Sequence, residues 1–219
     1  CPSAITVTTD PGLATAVVTF IVSASDAVDG SVTPVLTSGS VSGSAFPVGG
    51  TTESFSATDN DGNSATCSFT VTVTDNEKPI ISGCPSDIVA ATDTGVNYAT
   101  PTWSPPSATD NVAVTQFTST DASNDQFDLG VSTVTYTARD AKGNIQTCSF
   151  TITVNDDEAP VWSNCPSDIA ASPGLAGVAT VTWADPVASD NVAVSNVTVD
   201  GLTYSSRSGN NWYFTKTFS

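Results

Sequence analysis

Hydrophobic and polar residues alternate with a period of two along several stretches of the chain, and this pattern predicts β-strands. In the clearest stretch Cys67, Phe69, Val71 and Val73 alternate with serine and threonine, and the same pattern returns at 148–154. A strand with such alternation has one face in a hydrophobic core and the other face in water. These stretches are therefore expected to be half-buried strands of a β-sheet.

A second alternating stretch has Val134, Tyr136 and Ala138 on its inward face and ends just before the turn DAKGN at 140–144. The corresponding turn earlier in the chain is DNDGN at 59–63. Asp, Asn and Gly favour tight turns, because Gly adopts positive φ without strain. Each turn is therefore expected to join two neighbouring strands into a β-hairpin.

A third alternating strand is predicted to end at Phe20, Trp103 and Trp183, which occupy corresponding positions in a repeated unit. A large aromatic residue on a strand near a disulfide is expected to fill the core of a sandwich. A platform that stacks against carbohydrate is the functional alternative. Glu53 departs from the pattern, because it stands where inward Val134 stands in the next copy. A position at the rim, near the start of the strand, is expected for it.

Four sequence strings recur at intervals of 80–83 residues, which indicates an internal repeat. The chain is predicted to contain three copies, residues 1–77, 78–157 and 158–219, of which the third is divergent or incomplete. About seven short strands per copy, separated by Pro and Gly, are typical of a small immunoglobulin-like β-sandwich. The strings are CPS at 1–3, 84–86 and 165–167, TCSFT at 66–70 and 147–151, the acidic junctions DNEKP at 75–79 and DDEAP at 156–160, and DNVAV at 110–114 and 190–194.

The cysteines follow the repeat. Four cysteines permit three pairings, but a repeated unit is expected to repeat its bridge, which predicts the disulfides Cys1–Cys67 and Cys84–Cys148. Closing a loop of about 65 residues contributes roughly 4 kcal/mol in the chain-entropy model. The partner of Cys165, at the same spacing, is expected outside this segment. Persistent disulfides predict an oxidising compartment (secreted, cell-surface or periplasmic), and an extracellular or cell-surface location is expected.

Charge and composition exclude several functions. The chain has 22 acidic and 5 basic residues, a net charge of −17, and neither His nor Met. Such negative charge opposes binding to nucleic acid, and the lack of His excludes Ser-His-Asp catalysis and His-containing zinc sites. No stretch approaches the roughly 20 apolar residues of a membrane span. Since the chain does not begin with Met, it is expected to be a processed or excised piece.

The combined motifs resemble the hyalin repeat (HYR) family of immunoglobulin-like extracellular modules. The matching stretches are CPSDI at 84–88, W-x-x-P-x-A-x-D-N at 103–111, F-x-x-G-x-x-x-V-x-Y-x-A-x-D-x-x-G-N at 127–144 and C-x-F-T-x-x-V at 148–154. The third copy fits through Asn191 and then diverges. The resemblance implies an all-β fold of tandem immunoglobulin-like sandwiches in an extracellular array linked to adhesion or surface architecture. It implies no enzymatic activity.

Acidic groups near the junctions between copies are the candidates for metal chemistry. Calcium takes six to eight oxygen ligands, and carboxylates and amides between two domains supply them. The alternative is a solvated acidic linker with Asx turns. The turn at 59–63 resembles the start of a calcium loop, but Lys142 replaces Asp61 in the next copy, so a hairpin turn is expected. The candidate calcium ligands are Asp75, Asn76, Glu77, Asp110, Asn111, Asp156, Asp157, Glu158, Asp190 and Asn191.

The sequence bears on two further kinds of site, a glycosidase site and a glycosylation site. A glycosidase needs paired carboxylates in a cleft, with one pKa raised by burial. The acids here lie in turns and junctions and are repeated between copies, so a structural role is expected and an enzyme is not. Asn196 begins an N-x-[ST] sequon and is a candidate for glycosylation.

The sequence favours a structural protein, a rod-like segment of a cell-surface array, stalk or fibre. Its partners are expected to be further repeats or copies of itself, with head-to-tail assembly by strand addition as one route. An adhesin module that binds a glycan or a protein is the alternative, with Trp212 and Tyr213 near Arg207 as candidate contacts. A third hypothesis is an appendage of a secreted enzyme.

Overall fold

The structure is a computed structural model that describes residues 1–165, 167 and 186–195 in full, and strand positions alone at 198–199, 202–203, 207–208 and 211–212. This part of the chain consists of strands, turns and irregular segments and contains no helix. It accordingly offers no helix of the length and hydropathy that a membrane span requires. The all-β fold expected from the alternating residues is confirmed.

The first copy contains eight strands between Ile5 and Thr74. Threonine, valine and phenylalanine dominate them, since branched and aromatic side chains pack well on a pleated surface. The strands are β1 (Ile5–Thr8), β2 (Thr15–Val18), β3 (Ala24–Asp26), β4 (Gly30–Val32), β5 (Val35–Ser38), β6 (Ser44–Pro47), β7 (Gly49–Thr58) and β8 (Ser64–Thr74).

These strands form a main sheet in the order β1-β8-β7-β5, a second layer of β2 with β6, and a β3-β4 hairpin. The hairpin of β7 and β8 is the longest element, with ten paired residues from Gly49↔Val73 to Thr58↔Ser64. β1 runs parallel to β8 at its other edge.

The core of the first copy lies between these two layers. The inward residues of β8 pack against those of β2 and β6, as the period of two predicts, and full burial of one such side chain contributes roughly 1.5–3 kcal/mol. Phe20 lies two residues beyond β2, and its ring centroid is 5.0 Å from that of Phe69. The buried core residues are Ala16, Val18, Phe46, Phe69, Val71 and Val73.

The second copy repeats this arrangement with eight strands. Its main sheet has the order β10-β16-β15-β13, and β11 pairs with β14 while β12 pairs with β9. The strands are β9 (Ile80–Ser82), β10 (Ile88–Ala91), β11 (Tyr98–Ala99), β12 (Ser107–Thr109), β13 (Val114–Ser119), β14 (Phe127–Asp128), β15 (Gly130–Asp140) and β16 (Ile145–Asn155).

Trp103 fills the core position that the sequence predicts. Its ring centroid lies 6.0 Å from that of Phe127 and 5.3 Å from that of Phe150, both in edge-to-face geometry. Ile152 and Val154 of β16 are buried as well. The aromatic residue is therefore part of the packing between layers, and a carbohydrate platform is not needed to explain it.

The described part of the third copy contains the start of the same pattern. β17 (Val161–Ser163) pairs with β18 (Val187–Ser189), as β9 pairs with β12 in the second copy. Trp183, Asn196 and Tyr213 lie outside the described residues. The remaining strands are β19 (Thr198–Val199), β20 (Leu202–Thr203), β21 (Arg207–Ser208) and β22 (Asn211–Trp212), in the pairs β19-β20, β21-β22 and β18-β22.

Two disulfides tie the beginning of a copy to its last strand. Cys1 is bonded to Cys67 and Cys84 to Cys148, the pairs that the repeat predicts. The Cα atoms of the two bridges are 5.9 and 6.0 Å apart, within the usual range for a disulfide. Cys165 is a free, exposed thiol.

The contacts group the residues into two compact units, and each unit joins parts of successive copies. The acidic junction at 75–77 lies in the first unit, and the acidic junction at 156–158 lies in the second. The first unit contains Cys1–Cys84, Pro105–Thr120 and Thr135–Ser149, and the second contains Pro85–Ser104, Asp121–Val134 and Phe150–Ser219.

Glu53 lies in β7 with its side chain fully buried, not at the rim of the sandwich. Its Oε2 accepts a hydrogen bond from the backbone N–H of Ser40 at 2.6 Å, while its Oε1 has no partner. Gly39 has a φ of 103°, and a Cβ at this position would overlap the Glu53 carboxylate. The buried acid therefore holds the loop after β5 and requires glycine beside it.

We expect Gly39→Ala to lower the free energy of unfolding by about 2–4 kcal/mol. The new Cβ would overlap the Glu53 carboxylate, and alanine is strained at a positive φ. Gly62→Ala is the matched control, since Gly62 has a φ of 90° and no atom within 4 Å of its Cβ position. The control should lose only the strain, roughly 1–2 kcal/mol. Urea denaturation measures both, and equal losses would contradict the proposed overlap with Glu53.

Candidate functional site

The acidic junction after β8 reaches back to the loop between β1 and β2. Both carboxylate oxygens of Glu77 accept hydrogen bonds from the backbone N–H of Gly12, at 2.9 and 3.2 Å. Gly12 has a φ of 73°, a conformation that glycine adopts without a Cβ penalty. The linker acid thus fixes the end of the first sandwich that faces the next copy. We call this region the first joint.

A second contact at the first joint comes from the turn after β12. The side-chain amide of Asn111 donates to the carbonyl oxygen of Leu13 at 2.9 Å and approaches Thr9 Oγ1 at 3.4 Å. Asp110 positions this amide, because its Oδ1 accepts the N–H groups of Val112 and Ala113 in an Asx turn, at 3.0 and 3.1 Å. A side chain of the second copy therefore binds the backbone of the first.

The same two contacts recur in the second unit, which we call the second joint. Glu158 accepts both of its hydrogen bonds from the N–H of Gly95, at 3.0 and 3.1 Å. The amide of Asn191 donates to the carbonyl oxygen of Val96 at 2.8 Å and to Thr92 Oγ1 at 3.0 Å. The joint contacts are a repeated feature of the chain, like the disulfides.

Three aspartates converge at the first joint. One carboxylate oxygen from each of Asp75, Asp110 and Asp140 lies within 4.8 Å of the others, and we call this group the carboxylate cluster. Asp75 is 3% exposed and Asp140 is 2% exposed, while Asp110 is partly buried. The elements that place them are the end of β8, the turn after β12 and the end of β15.

The turn after β15 holds Asp140 rigidly. Its Oδ1 accepts three backbone hydrogen bonds, from the N–H groups of Lys142, Gly143 and Asn144 at 2.7–2.8 Å, and its Oδ2 accepts one from the Asn144 amide at 2.6 Å. Burial raises the pKa of Asp140, but the hydrogen bonds from Asn144, Gly143 and Lys142 outweigh it and hold the pKa below its usual value. This carboxylate is therefore negatively charged at neutral pH.

The cluster contains an oxygen atom with no hydrogen-bond donor. Asp110 Oδ2 is buried and has no partner, and Asn111 Oδ1 beside it has none either. Two carboxylates at such a distance repel by roughly 3–4 kcal/mol when the effective dielectric constant is about 20. Oxygen-only ligands with uncompensated negative charge are the donor set that suits a hard divalent cation.

The structure sorts the predicted calcium ligands into different roles. It brings Asp75 and Asp110 together, while Glu77, Glu158, Asn111 and Asn191 form the joint contacts. Asn76, Asp156 and Asp157 are exposed, and Asp190 repeats the Asx turn of Asp110 with the N–H groups of Val192 and Ala193.

Asp140 belongs to the cluster but not to the predicted calcium ligands, because its sequence context predicts only a hairpin turn. A signal was available, because both hairpin turns begin with an aspartate and end with an asparagine, at 59–63 and 140–144. The sequence does not show that the turn of one copy lies beside the junction that precedes this copy. In the third copy the counterpart of Asp140 would fall near position 221, outside the given sequence.

Comparison with known proteins places this architecture in a family. The sequence model of the HYR domain matches residues 1–73 and 74–154, which together make up most of the chain. The chain belongs to the HYR domain family and carries at least two tandem copies of the domain.

Its relatives include hyalin from two species. Hyalin of Strongylocentrotus purpuratus is 34% identical over 174 residues, covering 75% of this chain and 14% of that protein. Hyalin of Lytechinus variegatus is 33% identical over 152 residues, covering 68% of this chain and 29% of that protein. The chain thus spans less than a third of the length of these relatives.

A third relative is the sushi, von Willebrand factor type A, EGF and pentraxin domain-containing protein 1 of Mus musculus. It is 34% identical over 117 residues, covering 53% of this chain and 3% of that protein. These relatives and the two disulfides assign the chain to the extracellular or cell-surface compartment.

Solved cadherin ectodomains are similar to this chain only at a low level. Protocadherin gamma B2 domains 1–5 give a TM-score of 0.34 with 14% identity, over 96% of this chain and 50% of that one. Protocadherin gamma B7 domains 1–4 give 0.32 with 15% identity, over 96% and 64%. Scores of this size establish neither a common topology nor a common ligand.

We expect the stability of the chain to fall in acid in a way that depends on the Asp140 turn. Because folding lowers the pKa of Asp140 below its ordinary value of 3.8, the contribution of this carboxylate to stability is present above that pH and is lost as the pH falls through the lower folded value. Asn144→Ala removes a hydrogen bond to the carboxylate and should reduce this acid-dependent loss.

Urea midpoints at pH 7, 4, 3 and 2, measured in a chelator, give the comparison. Asp128→Asn, at an exposed acid outside the cluster, is the control and should keep the wild-type dependence. An Asn144→Ala variant with the wild-type acid dependence would contradict the role given to this turn.

Proposed function

We propose that the chain is a non-enzymatic structural segment of an extracellular repeat array, in which consecutive sandwiches, at 1–77, 78–157 and 158–219, form a rod. The observation that supports this is the repetition of the same glutamate and asparagine contacts at both joints. A connection that only tethered two domains would not need side chains that bind the backbone of the preceding copy.

The strength of these contacts is suited to a stiff but not permanent joint. A hydrogen bond to a charged group contributes about 1.5–3 kcal/mol and a neutral one about 0.5–1.5 kcal/mol, with less where water competes. Glu77 and Asn111 act on the same loop from two different segments, so either contact makes the other easier to form. Together they favour one orientation of successive copies.

The carboxylate cluster would add a cation to the first joint. Asp75, Asp110 and Asp140 come from the linker, a turn and a hairpin, so one ion bound by all three would cross-link these segments. Calcium fits best, since it takes six to eight oxygen ligands with flexible geometry and tolerates water among them. The ion would also neutralise the repulsion that the three carboxylates exert on one another.

Asn111→Ala tests the rod. We expect small-angle scattering in a chelator to show a broader range of particle dimensions for this variant, because the joint loses its contacts to Leu13 and Thr9. Asn76→Ala, at an exposed asparagine of the same junction, is the control and should leave the profile unchanged. Indistinguishable profiles for Asn111→Ala and the unaltered chain would contradict the stiffening role of Asn111.

Asp110→Asn tests the cation. Calcium should raise the melting temperature of the unaltered chain by several degrees, because it binds the folded state preferentially. A calcium concentration of 100 times the Kd stabilises the folded state by about 2.7 kcal/mol. Asp110→Asn should lose most of this increase, whereas Asp128→Asn, with the same change of charge, should keep it. Equal calcium responses in the two variants, or no response in the unaltered chain, would argue against the site.

A further inference from the structure

The edge of β3 in the first copy is the counterpart of an edge that is covered in the other two copies. In the second copy β12 pairs with the linker strand β9, from Ser107↔Ser82 to Thr109↔Ile80. In the third copy β18 pairs with β17 in the same way. Within the described residues β3 pairs with β4 alone. One edge of β3 therefore keeps its backbone hydrogen-bonding groups available.

A cleft of about 210 Å³ lies between β3 and the start of β8, and Cys1 is among its lining residues. Phe55, Ala57 and Cys67 line it and are half-buried. Their counterparts in the second copy, 81 residues later, are buried, and they are Tyr136, Ala138 and Cys148. Pro79, which lies in the linker just before β9, is also completely buried. The first copy thus has an open groove where the second copy is covered.

The far end of the groove presents two aspartates that correspond to two members of the carboxylate cluster. Asp26 forms the same Asx turn as Asp110, with its Oδ1 accepting the N–H groups of Val28 and Asp29 at 2.7 and 3.1 Å. Asp59 is held by Asn63 as Asp140 is held by Asn144, at 2.7 and 2.8 Å. Both line one cleft of about 190 Å³. In the second copy the third acid, Asp75, comes from the linker.

Exposed apolar surface at this end points to a whole domain as the partner. Val28 is 90% exposed, whereas its counterpart Val112, at the first joint, is 37% exposed. A short peptide would cover the groove, but only a folded neighbour would also cover the turn at Val28. An exposed valine in line with an open groove and an unpaired strand edge is typical of an interaction surface.

We propose that this groove is the docking site for the acidic linker of a further HYR repeat joined ahead of Cys1. The linker would pair antiparallel with β3, place a proline and one apolar residue, the counterparts of Pro79 and Ile81, between β3 and β8, and bring an aspartate to Asp26 and Asp59. A linker leading directly into Cys1 reaches the groove without closing a loop, because β9 in the second copy is separated from Cys84 by Gly83 alone. The bound cation in this arrangement rests on the proposed function, whereas the strand pairing does not.

The test is an extension of the full chain by the residues DNEKPIISG, copied from 75–83, directly ahead of Cys1. Hydrogen exchange of the β3 amides, measured in a chelator, should slow by about tenfold or more, since local opening would then require the new strand to leave. An extension of equal length, DNEKGSSSG, keeps the acids and removes the proline and the apolar residues. It should leave the exchange rates near those of the unextended chain.

A third extension, NNQKPIISG, separates docking from cation binding. It should protect β3 as well as DNEKPIISG does but give a smaller rise in melting temperature with calcium. Equal protection by DNEKGSSSG, or none by DNEKPIISG, overturns the docking site, and neither result affects the Asp110→Asn measurement at the first joint. Dimers of the DNEKPIISG variant in light scattering would show docking into a neighbouring molecule and overturn the assignment to the same chain.

Discussion

The segment from Asp75 to Ser82 belongs to two sandwiches at once, and the joint between them depends on this double attachment. Its acidic half contacts the preceding copy, where Glu77 accepts a hydrogen bond from Gly12. Its apolar half belongs to the following copy, where Pro79 is buried and β9 pairs with β12. Only Lys78 and Pro79 lie between Glu77 and the first residue of β9, so little free chain is left between the two attachments. Losing either half would leave unpaired backbone groups or an open cleft, which explains why the linker is not a simple spacer.

The alternation of residues predicted the strands well because burial of one face is a local consequence of the pleat. Phe69, Val71 and Val73, and their counterparts in β16, lie inward as the period of two requires. The repeat predicted the disulfides for a similar reason, since equal spacing in two copies leaves one consistent pairing. These features depend on distances along the chain, which the sequence contains.

The joint could not be predicted to the same degree, because it depends on which segments of different copies become neighbours. Asp140 is 65 residues from Asp75 in sequence, and only the pairing of β15 and β16 beside the linker brings the two together. Glu77 was one candidate calcium ligand, and the structure shows its carboxylate accepting hydrogen bonds from Gly12 of the preceding loop. Carboxylate chemistry permits either role, so the sequence alone does not reveal this contact.

The first copy shows how the same fold changes when the turn after β3, the counterpart of the turn after β12, has a different sequence. Ala27 stands where Asn111 and Asn191 reach into the preceding copy, so this end lacks the amide that forms a joint contact. Asp29 instead binds the backbone and side chain of Asn60, at 2.9 Å each, which ties the turn to the neighbouring hairpin. A repeat docked ahead of Cys1 would therefore be held by strand pairing and by its linker acids, without the asparagine contact. Under the proposed function, a single residue in this turn would change the stiffness of a joint, while the sandwich beneath the joint stays the same.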